Sequence, residues 1–336
     1  MTEVQRVGKM KAAVYRTYGT AEVLKIEEVD RPEVGDSDVL IRVRATSINQ
    51  ADWHTMTGTP LVARIAFGLR GPRDEMLGGD FAGTVEAVGS AVSRFKSGDP
   101  VFGLTRSGAF AEYLSVPEDR GAVAKPDDVS FEEAGTVGVA GITAVQALRT
   151  HGRLRAGEKV LINGASGGVG TFAVQVAKAM GAEVAAVCSA RNVEMARSLG
   201  AERVFDYAQE DFTRSGERYD LFIDIAGSRS WGECKRVLKP EARLVVVGGP
   251  SRNVLLGPVS HLVGMRLAAI GDRRKIAVFI ATVRNEDLEF LRELLQKGQV
   301  KPVIEKRYDF ADIGQAMAYL GEGHARAKLA VTIPSG

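Results

Sequence analysis

Apolar and polar positions change rhythm twice along the 336-residue chain. From Lys11 to about Lys125 the apolar runs are short and separated by turn residues. Residues 39–45 and 81–88 read as strands, and Gly98-Asp99-Pro100 marks the turn ahead of another at Val101-Phe102. This rhythm predicts a compact, barrel-like β unit rather than a parallel sheet. After Phe131, apolar runs of strand length at 159–163, 183–188, 219–225 and 243–247 alternate with helical periodicity, including an amphipathic helix over 169–180. Such alternation predicts a parallel sheet covered on both faces. Towards the C-terminus the pattern changes again. Leu288, Leu291, Leu294 and Leu295 share one helical face, Gly298 is a stop, and a strand at 301–305, a helix at 313–320 and a strand at 328–333 follow. This tail is too small for a domain and is expected to pack back onto the N-terminal unit.

One turn in the alternating region carries chemistry. A lone glycine motif is weak in a chain with 38 glycines, so context decides. Gly164-Ala165-Ser166-Gly167-Gly168-Val169-Gly170 follows one strand, opens a helix and is followed by a second strand. Gly167 lets the backbone approach a pyrophosphate, and Gly170 lets the helix pack closely on the strand. The helix N-terminus offers free N–H groups and partial positive charge, so Ala165, Ser166, Gly167, Gly168, Val169 and Gly170 are the candidate phosphate cradle. The second strand ends Val187-Cys188-Ser189-Ala190-Arg191, without the carboxylate that an NAD site places against the ribose hydroxyl. Ser189 can donate a hydrogen bond and Arg191 can pair with a dianion, which predicts NADPH. A solvated arginine is the plainer reading of Arg191.

Composition removes several classes. Lys+Arg 44 against Asp+Glu 42 leaves +2, no electrostatic case for nucleic acid or an anionic membrane. Two cysteines, Cys188 and Cys234, are too few for a disulfide framework or a cysteine-rich zinc site. They are expected to be reduced in a cytoplasmic protein. The polar stretch 1–10 lacks the apolar core of a signal peptide. Residues 254–270 are the most apolar but contain His261, Arg266, a proline and two glycines, so no membrane span is expected.

Taken in order, several short motifs resemble the medium-chain dehydrogenase/reductase superfamily, and within it the zinc-independent quinone oxidoreductase-like branch. They are Lys11-Ala12-Ala13-Val14, Ser47-Ile48-Asn49-Gln50-Ala51-Asp52, Gly79-Asp80-Phe81-Ala82-Gly83-Thr84-Val85, Phe95-Lys96-Ser97-Gly98-Asp99-Pro100-Val101-Phe102-Gly103, Gly108-Ala109-Phe110-Ala111-Glu112-Tyr113 and Ala140-Gly141-Ile142-Thr143-Ala144. The resemblance implies an α/β protein: a chaperonin-10-like β-rich catalytic domain (residues 1–130), a Rossmann doubly wound NADP-binding domain (131–272) and a return to the catalytic domain (273–336). It also implies a cleft between them as the active site, and a homodimer pairing outer strands near 243–249.

Where the family's zinc enzymes hold Cys, His and Cys, the resemblance puts Asn49, Asp80 and Val139. That set is poor for a metal preferring N and S ligands. The four-cysteine lobe is absent as well, because 102–107 leads straight into Gly108-Ala109-Phe110. The reaction implied is hydride transfer from NADPH to a small-molecule quinone or α,β-unsaturated carbonyl. A zinc-free carbonyl or alcohol oxidoreductase and a non-catalytic NADPH-binding protein stand as alternatives. By resemblance Asn49 and Asp52 line the nicotinamide and substrate side, although Asn-x-x-Asp also simply begins helices. Thr143, Tyr207 and Lys328 (with Arg326 beside it) fall at cofactor-contacting positions. Trp53, His54 and residues 57–76, with Arg64, Arg70 and Arg73, are expected to wall the substrate pocket. Some family members carry a lysine where this chain has Asn192.

Overall fold

A computed structural model describes residues 8–249, Leu255 and 258–334. Among the described residues fifteen strands run in chain order: β1 Lys9–Val14, β2 Lys25–Asp30, β3 Asp38–Ile48, β4 Asp80–Val88, β5 Pro100–Leu104, β6 Tyr113–Pro117, β7 Ala122–Ala124, β8 Lys159–Asn163, β9 Glu183–Cys188, β10 Arg203–Asp206, β11 Tyr219–Asp224, β12 Leu238–Val246, β13 Lys275–Val278, β14 Ile304–Asp309 and β15 Lys328–Thr332. They form two principal sheets, and each sheet answers one of the two rhythms in the sequence.

The first has the order β14-β15-β3-β4-β5-β7, with β6 also on β3, and β1 and β2 form a separate antiparallel pair. β3 is long enough to serve two partners: residues 38–42 pair with β6 and residues 45–48 with β15, both antiparallel. Alternate positions of β3 and β4 place Ile41, Val43, Phe81 and Val85 in one core with Phe110 and the C-terminal Phe310, Ile313 and Met317. Strand β15, some 280 residues downstream of β3, thus completes the sheet that β3 begins, as the small tail required.

The second sheet is parallel throughout, in the order β10-β9-β8-β11-β12-β13. Relative to its own first strand this is 3-2-1-4-5-6, whose direction reverses between β8 and β11 and leaves a crevice at the strand ends there. Helix Gly168–Ala179 follows β8 because Val169, Phe172, Ala173, Val176 and Ala177 recur at helical spacing and bury against the sheet. Helix Asn285–Gln296 lays Leu288, Leu291, Leu294 and Leu295 on the same core. Truncating any one of these leucines to alanine should cost about 2–5 kcal/mol.

Three expectations shift. Strand 301–305 is displaced to β14, 304–309, because Gln175 clamps Lys301 from both sides (Nε2 to Lys301 O 3.0 Å, Lys301 N to Oε1 2.8 Å) and removes it from the ladder. The run at 243–247 is the second half of a longer strand, β12. That strand is not an outer one: Arg243 pairs with Lys275, so β13 forms the sheet's edge and the expected 243–249 pairing surface is covered. The apolar stretch at 254–270 contributes helix Pro258–Ala268, whose Val263 and Leu267 are exposed. Among the described residues no helix is long and apolar enough to cross a membrane.

Candidate active site

The glycine-rich turn sits at the crevice, between β8 and helix Gly168–Ala179. Gly164 adopts φ +87°, the left-handed region that favours glycine. A Cβ on Gly170 would meet Gly164 O at 2.2 Å and Ala165 C at 2.6 Å, so only glycine allows the helix this close to the turn. At Gly167 a Cβ would meet nothing nearer than Gly164 O at 3.6 Å, which leaves open space above the backbone. Gly167 is the N-cap and supplies no side-chain cap, and the first turn contains no acidic residue. The uncapped first-turn N–H groups, with no side chain above Gly167 and no acidic residue beside them, fit a dinucleotide pyrophosphate. The turn is also tied to the other sheet: Ala327 N donates to Ser166 O at 2.8 Å, and Gly167 bridges Ala327.

At the tip of β9, Ser189, Arg191 and Tyr207 gather. Tyr207 N donates to Cys188 O at 3.2 Å, and its side chain is exposed. Ser189 Oγ accepts from Asn192 Nδ2 at 3.0 Å, and the exposed Arg191 donates from Nη2 to His324 O at 2.8 Å. A carboxylate that the β9 sequence alone does not show also stands here. Asp206, at the end of β10, lies opposite Cys188 in register and accepts from Ala208 N.

The third component lies where the first sheet meets the turn. Asp80, fully buried at the start of β4, receives four donors. Val139 N, in the first turn of helix Gly138–Val145, donates to Oδ1, while Ser47 Oγ, Asn49 Nδ2 (3.1 Å) and Lys328 Nζ (3.1 Å) donate to Oδ2. The fit is close: a Cβ on Gly138 would come within 2.6 Å of Asp80 Oδ1. Lys328 Nζ also donates to Asn49 Oδ1, and its stem passes beside Gly168, where an added Cβ would lie 3.1 Å from Lys328 Cδ. Both charges of the pair are buried, with side-chain exposures of 3% for Lys328 and 0% for Asp80.

Asp52 stands one layer behind. Its carboxylate accepts from Asn49 N at 2.8 Å and from Gly78 N at 3.2 Å, capping helix Gln50–Thr57. Burial raises its pKa from 3.8 to about 7, against the two backbone N–H bonds and Lys328 that favour the charged form. The two readings of Asn-x-x-Asp thus divide between the residues: Asp52 caps the helix, while the side chain of Asn49 points to Asp80 and Lys328.

The remaining candidates have intramolecular partners of their own. Thr143 Oγ1 donates to Val139 O at 2.6 Å. Arg326 is held by Glu305, with Nε at 3.0 Å from its carboxylate. Trp53 packs against Gly321 of the C-terminal helix, His54 Nδ1 lies 2.9 Å from Thr59 O, and Arg64 sits over the Tyr18 ring. Ser47, read in the sequence only as part of a family-like motif, acquires its role from Asp80, which faces it.

A phosphate-ready turn at the reversal point of a parallel sheet, closed by a β unit that holds a buried polar network, defines a two-part nicotinamide oxidoreductase. Residues 35–127 match the alcohol dehydrogenase GroES-like domain family and residues 199–331 the zinc-binding dehydrogenase family. The chain is 32% identical over 335 residues to quinone-oxidoreductase QR1, chloroplastic, of Triphysaria versicolor, covering 96% of this chain and 98% of that one. It is 32% identical over 338 residues to the NADPH-dependent alkenal/one oxidoreductase, chloroplastic, of Arabidopsis thaliana (96% and 79% covered). The solved quinone oxidoreductase of Coxiella burnetii superposes with a TM-score of 0.84 at 28% identity, over 97% of this chain and all of that one. This chain belongs to the medium-chain dehydrogenase/reductase superfamily, in its quinone oxidoreductase-like branch, and is an oxidoreductase of quinone/enone type.

Proposed function

We propose that the protein is an NADPH-dependent, zinc-independent reductase of quinones or α,β-unsaturated carbonyls. The carrying observation is the network at Asp80. Val139 offers no ligand atom, while Asn49 and Asp80 are already committed to each other and to Lys328, so these residues do not fit a zinc ion. Among the described residues no three His, Cys, Asp or Glu side chains cluster as a metal site.

When bound, the reduced nicotinamide supplies a hydride. The chain's own part is to hold and orient. Ala165, Ser166, Gly167, Gly168, Val169 and Gly170 cradle the pyrophosphate. Ser189, Arg191 and Tyr207 surround the 2′-phosphate, for which Arg191 exchanges the His324 carbonyl for a dianion and outweighs Asp206. Thr143, Asn49 and Asp52 line the nicotinamide and acceptor side, Asp52 by fixing Asn49. Stronger fluorescence quenching by NADPH than by NADH, with chelator-insensitive turnover of a quinone or enone, is the expected result; a preference for NADH sinks the cofactor assignment, and chelator-sensitive alcohol oxidation sinks the zinc-free one.

The division 1–130, 131–272 and 273–336 is adopted with one change, the second boundary moving past β13. Two copies pair through that edge strand, where Ile270 and Ile280 are strongly exposed, giving a homodimer that light scattering would detect as twice the chain mass. Two buried free thiols suit the reducing cytoplasm.

A further inference from the structure

The network at Asp80 has an asymmetry in its donors and acceptors. Asp80 accepts from three neutral donors and one ammonium, three of them on Oδ2 and one on Oδ1. Lys328 has three N–H groups, and two are taken by Asn49 Oδ1 and Asp80 Oδ2. The negative charge of Asp80 is therefore shared among four donors, while the positive charge of Lys328 retains one N–H without an acceptor among the described residues. The stem of Lys328 lies against Gly168 of the nucleotide turn, and its ammonium is held by Asn49 and Asp80, two of the positions that the resemblance equates with metal ligands of the family's zinc enzymes. A buried ion pair is weak evidence for stability, since desolvation offsets its attraction. Its place beside a hydride-transfer site suggests chemistry instead.

We propose that Lys328 is a catalytic residue: its ammonium replaces the metal as a fixed electrophile and donates its remaining N–H to the carbonyl oxygen of the acceptor. This rests on the quinone/enone reading and names the group that polarises the acceptor. In an enone, hydride from the reduced nicotinamide bonds to the β-carbon, and the π electron pair moves to oxygen, giving an enolate held by the ammonium. The α-carbon then takes a proton from water. The nicotinamide is oxidised, the acceptor is reduced by two electrons, and Lys328 keeps its own protons. Asp80 and Asn49 are positioning residues, aiming the ammonium by two of its three bonds.

The test has a readout independent of turnover. A phenolate oxygen imitates the enolate or hydroquinone anion, so 4-nitrophenol is titrated in the presence of the cofactor-free protein while its phenolate absorbance is followed. Wild type should lower the midpoint of the bound phenol by about one pH unit. Lys328→Met should abolish that shift and cut kcat by about 10²-fold, with the Kd for NADPH within about twofold. Because Lys328→Met leaves Asp80 buried without its cation, Asp80→Asn/Lys328→Met is measured beside it. The neutral pair should recover thermal stability but neither the phenol shift nor kcat. Recovery of both, or a wild-type protein that fails to bind or shift the phenol, overturns the role of Lys328. Wild type that consumes no NADPH with any quinone or enone breaks the broader reading instead, and the phenol titration then still decides whether Lys328 acts as an oxyanion donor.

Discussion

The nucleotide turn and the network at Asp80 lie side by side and are built on opposite plans. The turn works through backbone: seven consecutive residues, Gly164 to Gly170, set a left-handed bend, an open surface and a close helix contact with almost no side chain involved. The network works mainly through side chains from three separate segments, Ser47 in β3 with Asn49 just after it, Asp80 on β4 and Lys328 on β15, joined by the backbone N–H of Val139, with Asn49 and Lys328 279 positions apart. A backbone site depends on where side chains are absent. A converging site depends on every member being present with its charge balanced.

Breaking the balance should therefore have the largest effect. Asp80→Asn leaves the Lys328 ammonium buried without its counter-ion and should cost about 3–5 kcal/mol in chemical denaturation. A loss below about 1 kcal/mol would mean that the cation finds solvent and the pair is not truly buried. Next is Gly170→Ala, whose Cβ would collide with Gly164 O and Ala165 backbone. NADPH affinity should fall by about 100-fold, near 2.7 kcal/mol, in a fluorescence titration. Unchanged affinity would show that the helix can back away from the turn.

A smaller effect is expected at the rim of the turn. Arg191→Ala should weaken NADPH by about tenfold, or 1.4 kcal/mol, and leave NADH unaltered. Equal losses for both cofactors would move Arg191 away from the 2′-phosphate. The smallest concerns Asp52. Its folded pKa of about 7 lies above its ordinary 3.8, so the folded protein binds this proton more tightly than the unfolded chain does. Its contribution to stability is thus complete below the ordinary value and is lost as pH rises through about 7. Wild type should lose urea resistance across that interval relative to Asp52→Asn, whose midpoint should be flatter with pH. Identical profiles would locate the titration elsewhere.

Much of the fold was legible because periodicity is local. Strands 159–163 and 183–188 coincide with β8 and β9, and the leucine face at 288–295 reports a core-facing helix without reference to its partner. Where tertiary partners intervene, the reading slips. Gln175 holds Lys301 out of β14, and β13, short and modestly apolar, takes the sheet edge that 243–249 was expected to occupy. In the site, motif order singled out Asn49, Asp80 and Val139 by their resemblance to the family's zinc-ligand positions. It did not identify that Lys328 meets Asn49 and Asp80 there, nor Asp206 facing the β9 tip from the next strand.

The sequence by itself determined two kinds of sheet and a glycine-rich turn between a strand and a helix, because each follows from neighbours in the chain. Only the tertiary structure decided that the ammonium of Lys328 meets Asp80 and Asn49 while its stem lies beside Gly168, and that Ser47 belongs with them. A hydrogen bond has a length and a direction, and residues hundreds of positions apart acquire both only when β15 pairs with β3 and Ala327 docks on the turn at Ser166.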